Sequence, residues 1–331
     1  MEATLTKLEK SLLREGSQGF EVIELHLLLQ SYGLTISIDG EVYNFFGQFT
    51  KHAVINFQDA MFLTVDGIVG NQTWLALYQK SPIEKPNLQL GNRGESVKQL
   101  QTRLQQLQYN VGEVDGIFGP RTQQAVIEFQ QEFQLIPDGT VDEASWTKLA
   151  ELRLKMFAPI PQVEVFNRGR KLRIYGGGNL KIVDITRINI LILDYYDPNI
   201  SGVVAEQELY GLYILGEPTV NPETKDIAVR VVLNEYADIQ QSAVFIIGGE
   251  GGYYRLQVPG KRSLPHEFAS YPLSTIYRLD YSHGNLLVTN GDNSGTAAML
   301  VFKPGETPAG KYAGCVELER GEGRNLCPQT S

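Results

Sequence analysis

Between residues 95 and 107 the apolar side chains Val97, Leu100, Leu104 and Leu107 recur at steps of three, four and three, one stripe of an amphipathic helix. Glu95 and Ser96 suit its first turn. Ala125, Val126, Phe129 and Phe133 predict a second helix with Thr122 as its cap, and Trp146 with Leu149 anchors a third. Asp115-Gly116 and Asp138-Gly139 are turn dipeptides, because Asp bonds its own backbone and Gly accepts positive φ. Three short helices on one core are expected. Beyond Pro161 the period changes to that of strands, with β-branched or aromatic runs at 171–175, 188–194, 227–233, 243–247, 253–258 and 297–302. Turn signals at Gly248–Gly252 and Thr289–Gly295 separate them, which predicts an antiparallel β-sandwich or jelly roll.

The helical pattern occurs twice. Gly91, Gly94, Val97, Leu100, Asp115-Gly116, Phe118-Gly119, Thr122, Ala125-Val126, Phe129-Gln130, Asp138-Gly139 and Trp146 are matched by Gly16, Gly19, Val22, Leu25, Asp39-Gly40, Phe46-Gly47, Thr50, Ala53-Val54, Phe57-Gln58, Asp66-Gly67 and Trp74. The copies differ in the loop before the second helix, where the first carries a four-residue insertion within Asp39–Gly47 that includes Tyr43, Phe45 and Phe46. Loops tolerate such growth, and aromatic loop tips serve either as recognition surfaces or as seals over a core. His26 and His52 stand where the second copy has Gln101 and Gln124, and both are expected to be solvated helix residues.

This duplicated set of motifs resembles the peptidoglycan-binding-like domain family, over residues 10–80 and 88–150. The resemblance implies three-helix modules that bind peptidoglycan in a shallow groove beside the second helix. Carried onto this chain, it makes Phe118, Arg121, Gln124 and Gln131 of the second copy, and Tyr43, Phe45 and Gln48 of the first, candidate ligand-binding residues, with core packing the competing reading for Phe118. The expected organisation is a multidomain α plus all-β protein: modules at 1–80 and 88–157, then a β-sandwich at 162–331. Ser81–Pro86 and Ala158–Pro161 read as Pro-stiffened linkers.

Bulk composition narrows the partners. A net charge of −9 over 331 residues argues against binding a phosphate backbone, so no nucleic acid is expected. No apolar run is long enough to span a membrane, and the start lacks the basic and apolar regions of a signal peptide. A cytoplasmic protein is therefore expected, delivered to the envelope within an assembly, with a periplasmic or wall location as the alternative. Cys315 and Cys327 are either a disulfide or two reduced thiols.

The C-terminal part carries a few words that resemble catalytic chemistry. Thr307–Tyr312 and Gly314-Cys315-Val316, with His283-Gly284, are similar to words of the L,D-transpeptidase signature, but His283 precedes the Thr-Pro word instead of following it. The histidines at 26, 52, 266 and 283 form no HxH or HExxH pair, so no metal site is expected. Tyr195-Tyr196, Tyr253-Tyr254 and Tyr271 suit either sugar stacking or sheet packing, and Asp292-Asn293-Ser294 reads as a plain turn rather than a calcium loop. The chain is accordingly expected to be a non-catalytic wall-binding protein without cofactors. The alternatives are an adaptor subunit of a phage-tail-like injection apparatus, with other subunits as partners, and a peptidoglycan-modifying enzyme.

Overall fold

The computed structural model describes residues 9–34, 43–185, 212–214, 216–233, 241–248, 253–256, 276–282, 284–291, 297–304, 312–313, 317–319 and 322–324. Six helices come first: α1 (Phe20–Ser31), α2 (Gln48–Ala60), α3 (Asn71–Gln79), α4 (Glu95–Gln106), α5 (Pro120–Glu132) and α6 (Glu143–Met156). The strands follow: β1 (Gln162–Phe166), β2 (Lys171–Gly176), β3 (Asn179–Asp184), β4 (Leu212–Ile214), β5 (Thr219–Val220), β6 (Ile227–Leu233), β7 (Gln241–Ile247), β8 (Tyr253–Leu256), β9 (Ile276–Ser282), β10 (Asn285–Gly291), β11 (Ala297–Pro304), β12 (Tyr312–Ala313), β13 (Glu317–Glu319) and β14 (Glu322–Arg324). Two compact units result, residues 1–159 with 175–180, and residues 160–174 with 181–331.

The first unit holds two three-helix modules built on one plan. Val22, Leu25, Leu29, Val54, Phe57 and Trp74 fill the first core, and Val97, Leu100, Leu104, Val126, Phe129 and Trp146 fill the second. Short antiparallel bridges, Leu13 to Val69 and Leu88 to Val141, tie the chain entering each module to the loop before its third helix. Among the described residues, the Asp-Gly loops are held by buried glutamines. Gln130 accepts from the Gly139 N–H (2.9 Å) and donates to Thr140 O (2.7 Å), while Gln58 accepts from the Gly67 N–H (2.8 Å) and donates to Ile68 O (2.9 Å). Gln101 repeats the device on Gly116 (2.8 Å) and Ile117 O (3.1 Å), and satisfying these buried backbone groups is what makes the loops rigid.

Two local expectations are corrected here. Thr122 is not the cap of α5, which begins at Pro120 after Gly119; it is buried inside the first turn, where its Oγ1 accepts from Gln101 Nε2 (3.1 Å). His26 is not a solvated residue, since it is buried and bonded through Nε2 to Thr50 Oγ1 (2.8 Å). At the place where Gln101 of module two reaches Thr122, His26 of module one thus reaches the corresponding Thr50.

In the second unit β1, β2 and β3 form one sheet, β4-β6-β7-β8 with β5 on β6 a second, and β14-β13-β11-β10-β9 with β12 on β11 a third. The pairings of β6 with β7 and of β10 with β11 are antiparallel. Ile227, Val229 and Val231 of β6 alternate into a core with Leu172, Val183, Ile185, Ile214 and Ile247. The segment from Thr289 to Gly291, expected to begin a turn, instead ends β10. The run at 188–194 lies outside the described residues, as do Tyr195-Tyr196, His266, Tyr271, His283, Asp292–Ser294, Thr307–Lys311, Cys315 and Cys327; the side chains of Tyr253-Tyr254 are likewise outside the description. Among the described residues no helix is long and apolar enough to cross a membrane.

The modules meet through α2, α4 and α6. Ala150 and Leu154 of α6 join the core of module one, and Phe62, just beyond α2, places its ring 5.0 Å from that of Trp146. Lys85, on the segment between the modules, donates to Phe62 O (3.0 Å) and Gln99 Oε1 (2.9 Å). Burial, reinforced by the Arg103 charge, lowers its ammonium from the ordinary 10.5 to about 8. Between pH 8 and 10.5 the unfolded chain therefore binds more protons at this site than the folded one, so the contribution of Lys85 to stability rises with pH across that window and is flat below it. A heteronuclear NMR titration is expected to give a Lys85 side-chain midpoint near pH 8; a midpoint above 10 refutes the burial argument.

Candidate functional site

Helix α1 carries more apolar side chains than one buried face requires. Val22, Leu25 and Leu29 point into the core, while Phe20 is 89% exposed and Leu27 55% exposed. The duplicated module supplies an internal reference. At the positions corresponding to Phe20, Ile23 and Leu27, α4 has Glu95, Lys98 and Thr102, and where α2 has Phe49, 46% exposed, α5 has Arg121. The same fold tolerates ordinary polar residues at all four places, so the apolar ones in module one serve no requirement of folding.

The inserted loop borders this face. Gly19 N–H donates to Asn44 O (3.0 Å), Phe46 N–H donates to Ser17 O (2.9 Å), and Gln18 bridges to Phe45, which brings residues 43–46 to the start of α1 beside Phe20. Tyr43, 39% exposed, sets its ring edge-on to the imidazole of His26 at 5.9 Å. Through its bond to Thr50, His26 thus links α1, the insertion and α2. Among the aromatic residues there, Phe46 is fully buried, as Phe118 is at the matching place in module two, whereas Tyr43 is exposed.

On the adjacent flank Lys10 and Tyr78 both hydrogen-bond the Glu24 carboxylate. The Lys10 bond, followed by that of Tyr78, holds the Glu24 carboxyl below its usual range, and the Glu24 bond raises Lys10. The charges there are spent on each other, and the exposed residues Phe20, Leu27, Tyr43 and Phe49 are aromatic or apolar. Such a face suits the C–H surfaces of sugar rings and the methyl groups of short peptides.

The seven candidate residues divide. Tyr43 and Gln48 are exposed, and Phe45 is half-buried, all around the start of α2. Phe118 is a correction: it is 0% exposed in the core of module two, as its counterpart Phe46 is in module one, and it touches no ligand without unfolding. Arg121 is exposed, with its aliphatic stem against Gly112, and Gln124 is exposed and donates to Glu128 Oε1 (3.0 Å). Gln131 is exposed at the far end of α5, away from the first turn that carries Arg121. Phe20, Leu27 and Phe49, exposed on module one, were not among the candidates. Their signal was present as polar-to-apolar exchange between the two copies.

A family model described as peptidoglycan binding domain matches residues 18–77 and 93–149. Among curated relatives, an N-acetylmuramoyl-L-alanine amidase, CwlM of Mycobacterium tuberculosis, is 32% identical over 145 residues, 38% of this chain and 34% of the relative. A spore cortex-lytic enzyme of Oceanobacillus iheyensis is 36% identical over 92 residues, 28% of this chain and 33% of the relative. The chain thus spans about a third of the length of these relatives. A solved structure, the N-terminal domain of SleB, is 35% identical over 20% of this chain and 93% of its own, with a TM-score of 0.20. These relatives overturn the expectation of a non-catalytic protein: both curated ones are named as enzymes, although the likeness falls on the module region, and the expectation is withdrawn.

Proposed function

From the premise that residues 18–77 and 93–149 are tandem peptidoglycan-binding domains, we propose that this protein attaches to the bacterial cell wall through them, with the exposed face of module one as the principal contact. The family match of both modules is the observation that carries attachment. The choice of face is supported by Phe20, Leu27, Phe49 and Tyr43, apolar or aromatic where the second module is polar. Peptidoglycan offers the C–H faces of alternating sugars and the methyl groups of short peptides, and an uncharged face of this kind meets them by stacking and by displacing water. Salt then has little leverage on affinity, because few counterions are released.

The curated relatives that share the modules are named as an N-acetylmuramoyl-L-alanine amidase and a spore cortex-lytic enzyme, and they lend no support to an adaptor role in an injection apparatus. The test is depletion of the full chain by purified insoluble peptidoglycan at low and moderate salt, with muropeptide release followed in the same samples. Saturable pelleting that persists from 50 to 300 mM salt is expected. A chain left in the supernatant under all conditions removes the basis for wall attachment.

A further inference from the structure

We infer that the two modules form a single rigid two-footed binder, locked by Arg103, rather than two feet on a flexible tether; this rests on the wall-attachment reading for what the feet hold, but not for the lock itself. Arg103 projects from α4 and is buried, yet it contributes nothing to the apolar core of its own module. Its guanidinium donates to Asp59 O (2.7 Å) and Ala60 O (3.2 Å), the last carbonyls of α2, and to Leu149 O of α6 (3.2 Å). Terminal helix carbonyls lack intrahelical partners and carry partial negative charge, so a cation from the neighbouring module caps α2 in the way a C-terminal Arg caps its own helix. The Asp59 carboxylate, 3.8 Å from Arg103 and 2.6 Å from Arg153 Nε, is shared by the two guanidiniums and offsets part of the buried charge. The Phe62 ring lies 4.2 Å from the guanidinium and closes its remaining side.

Comparison of the modules shows that this junction is built for docking. In module one Lys10 lies 5.3 Å from the Trp74 ring and 5.9 Å from Tyr78, and Tyr78 stacks on Trp74 at 6.0 Å. The module closes that seat with its own side chain. In module two the corresponding Lys85 lies 5.7 Å from Trp146 and 5.2 Å from Phe62, so the second aromatic wall is supplied by module one. The counterpart of Tyr78 is Ala150, which leaves room for it and packs into the core of module one. The counterpart of Phe62 is Gln134. Both adopt the left-handed backbone, φ 57° and 59°, but Gln134 is exposed, so the ring of Phe62 answers the neighbour and not the turn. The counterpart of Arg103 is Leu28. Cation, aromatic ring and small residue thus occur only on the paired surfaces, and the outward seat of module one is already shut.

A lock of this kind holds the wall-facing surfaces at one spacing, which a repeating polymer rewards because the second contact forms without further ordering of the chain. Arg103 is then a positioning residue. The test uses the full chain with nitroxide labels on a keto amino acid at positions 72 and 144, both exposed and outside the candidate binding residues, so that the native cysteines play no part. Pulsed dipolar spectroscopy is expected to give one narrow distance in the parent chain. Arg103→Leu and, independently from the other side of the junction, Phe62→Gln are expected to broaden it with helical circular dichroism retained, and to weaken peptidoglycan pelleting by about tenfold. If Arg103→Leu loses helical signal, Phe62→Gln decides. A broad distance in the parent, or a narrow one in the folded variants, overturns the lock. Broadened variants that pellet like the parent overturn the two-footed role. A parent with a narrow distance that does not pellet contradicts wall attachment instead and leaves the rigid pair established.

Discussion

A chain carrying Phe20→Glu, Leu27→Thr and Phe49→Arg, the residues that module two has at the corresponding positions, is expected to bind insoluble peptidoglycan roughly a hundredfold more weakly than the parent. Half-burying one such side chain against a ligand is worth about 1 kcal/mol, and three together make about 3 kcal/mol. Stability is expected to stay within about 0.5 kcal/mol, because the three side chains are largely in water before binding and the duplicated module already accepts their replacements. Depletion isotherms on the wall polymer, paired with urea unfolding, separate these effects. Unchanged pelleting moves the contact off this face and onto the polar side chains of module two, Arg121 and Gln124 foremost.

The second large effect is expected at Phe118. Its ring is fully buried, so Phe118→Ala removes packing and leaves a cavity at a cost of about 3–5 kcal/mol, a fall in melting temperature of about 10 °C for a unit of this size. Binding per folded molecule, measured well below the transition, is expected to stay within about twofold of the parent. Calorimetry and cold pelleting assays on the same preparation decide the matter. A stable variant with lost binding would return Phe118 to the ligand surface.

Phe118 also shows why part of the site was illegible in the sequence. Loop position and an aromatic side chain suit a sugar-stacking residue, but the loop from Asp115 to Gly119 turns back on the core, held by Gln101 at Gly116 and by Phe118 O accepting from the Gly91 N–H at 2.9 Å. Only that closure decides which way the ring points. The exposure of Phe20, Leu27 and Phe49 was hidden for the opposite reason. A helix as apolar as residues 20–31 reads as deeply buried, and periodicity alone does not tell which surplus residues remain in water. His26 misled in a similar way: its counterpart Gln101 reads as a polar surface position until the buried bonds each makes are seen.

Helix content, the duplication and the family of the modules were set by the chain itself, because apolar spacing and Asp-Gly turns are local devices that act within a few residues of one another. Ser81–Pro86 read by composition as a spacer, yet the modules it joins share a core through Ala150 and Leu154 and a clamp through Arg103. No local rule announces those contacts. They join groups more than forty residues apart in sequence, and whether a cation on a helix faces water or caps another helix is decided by which surface the folded chain brings against it.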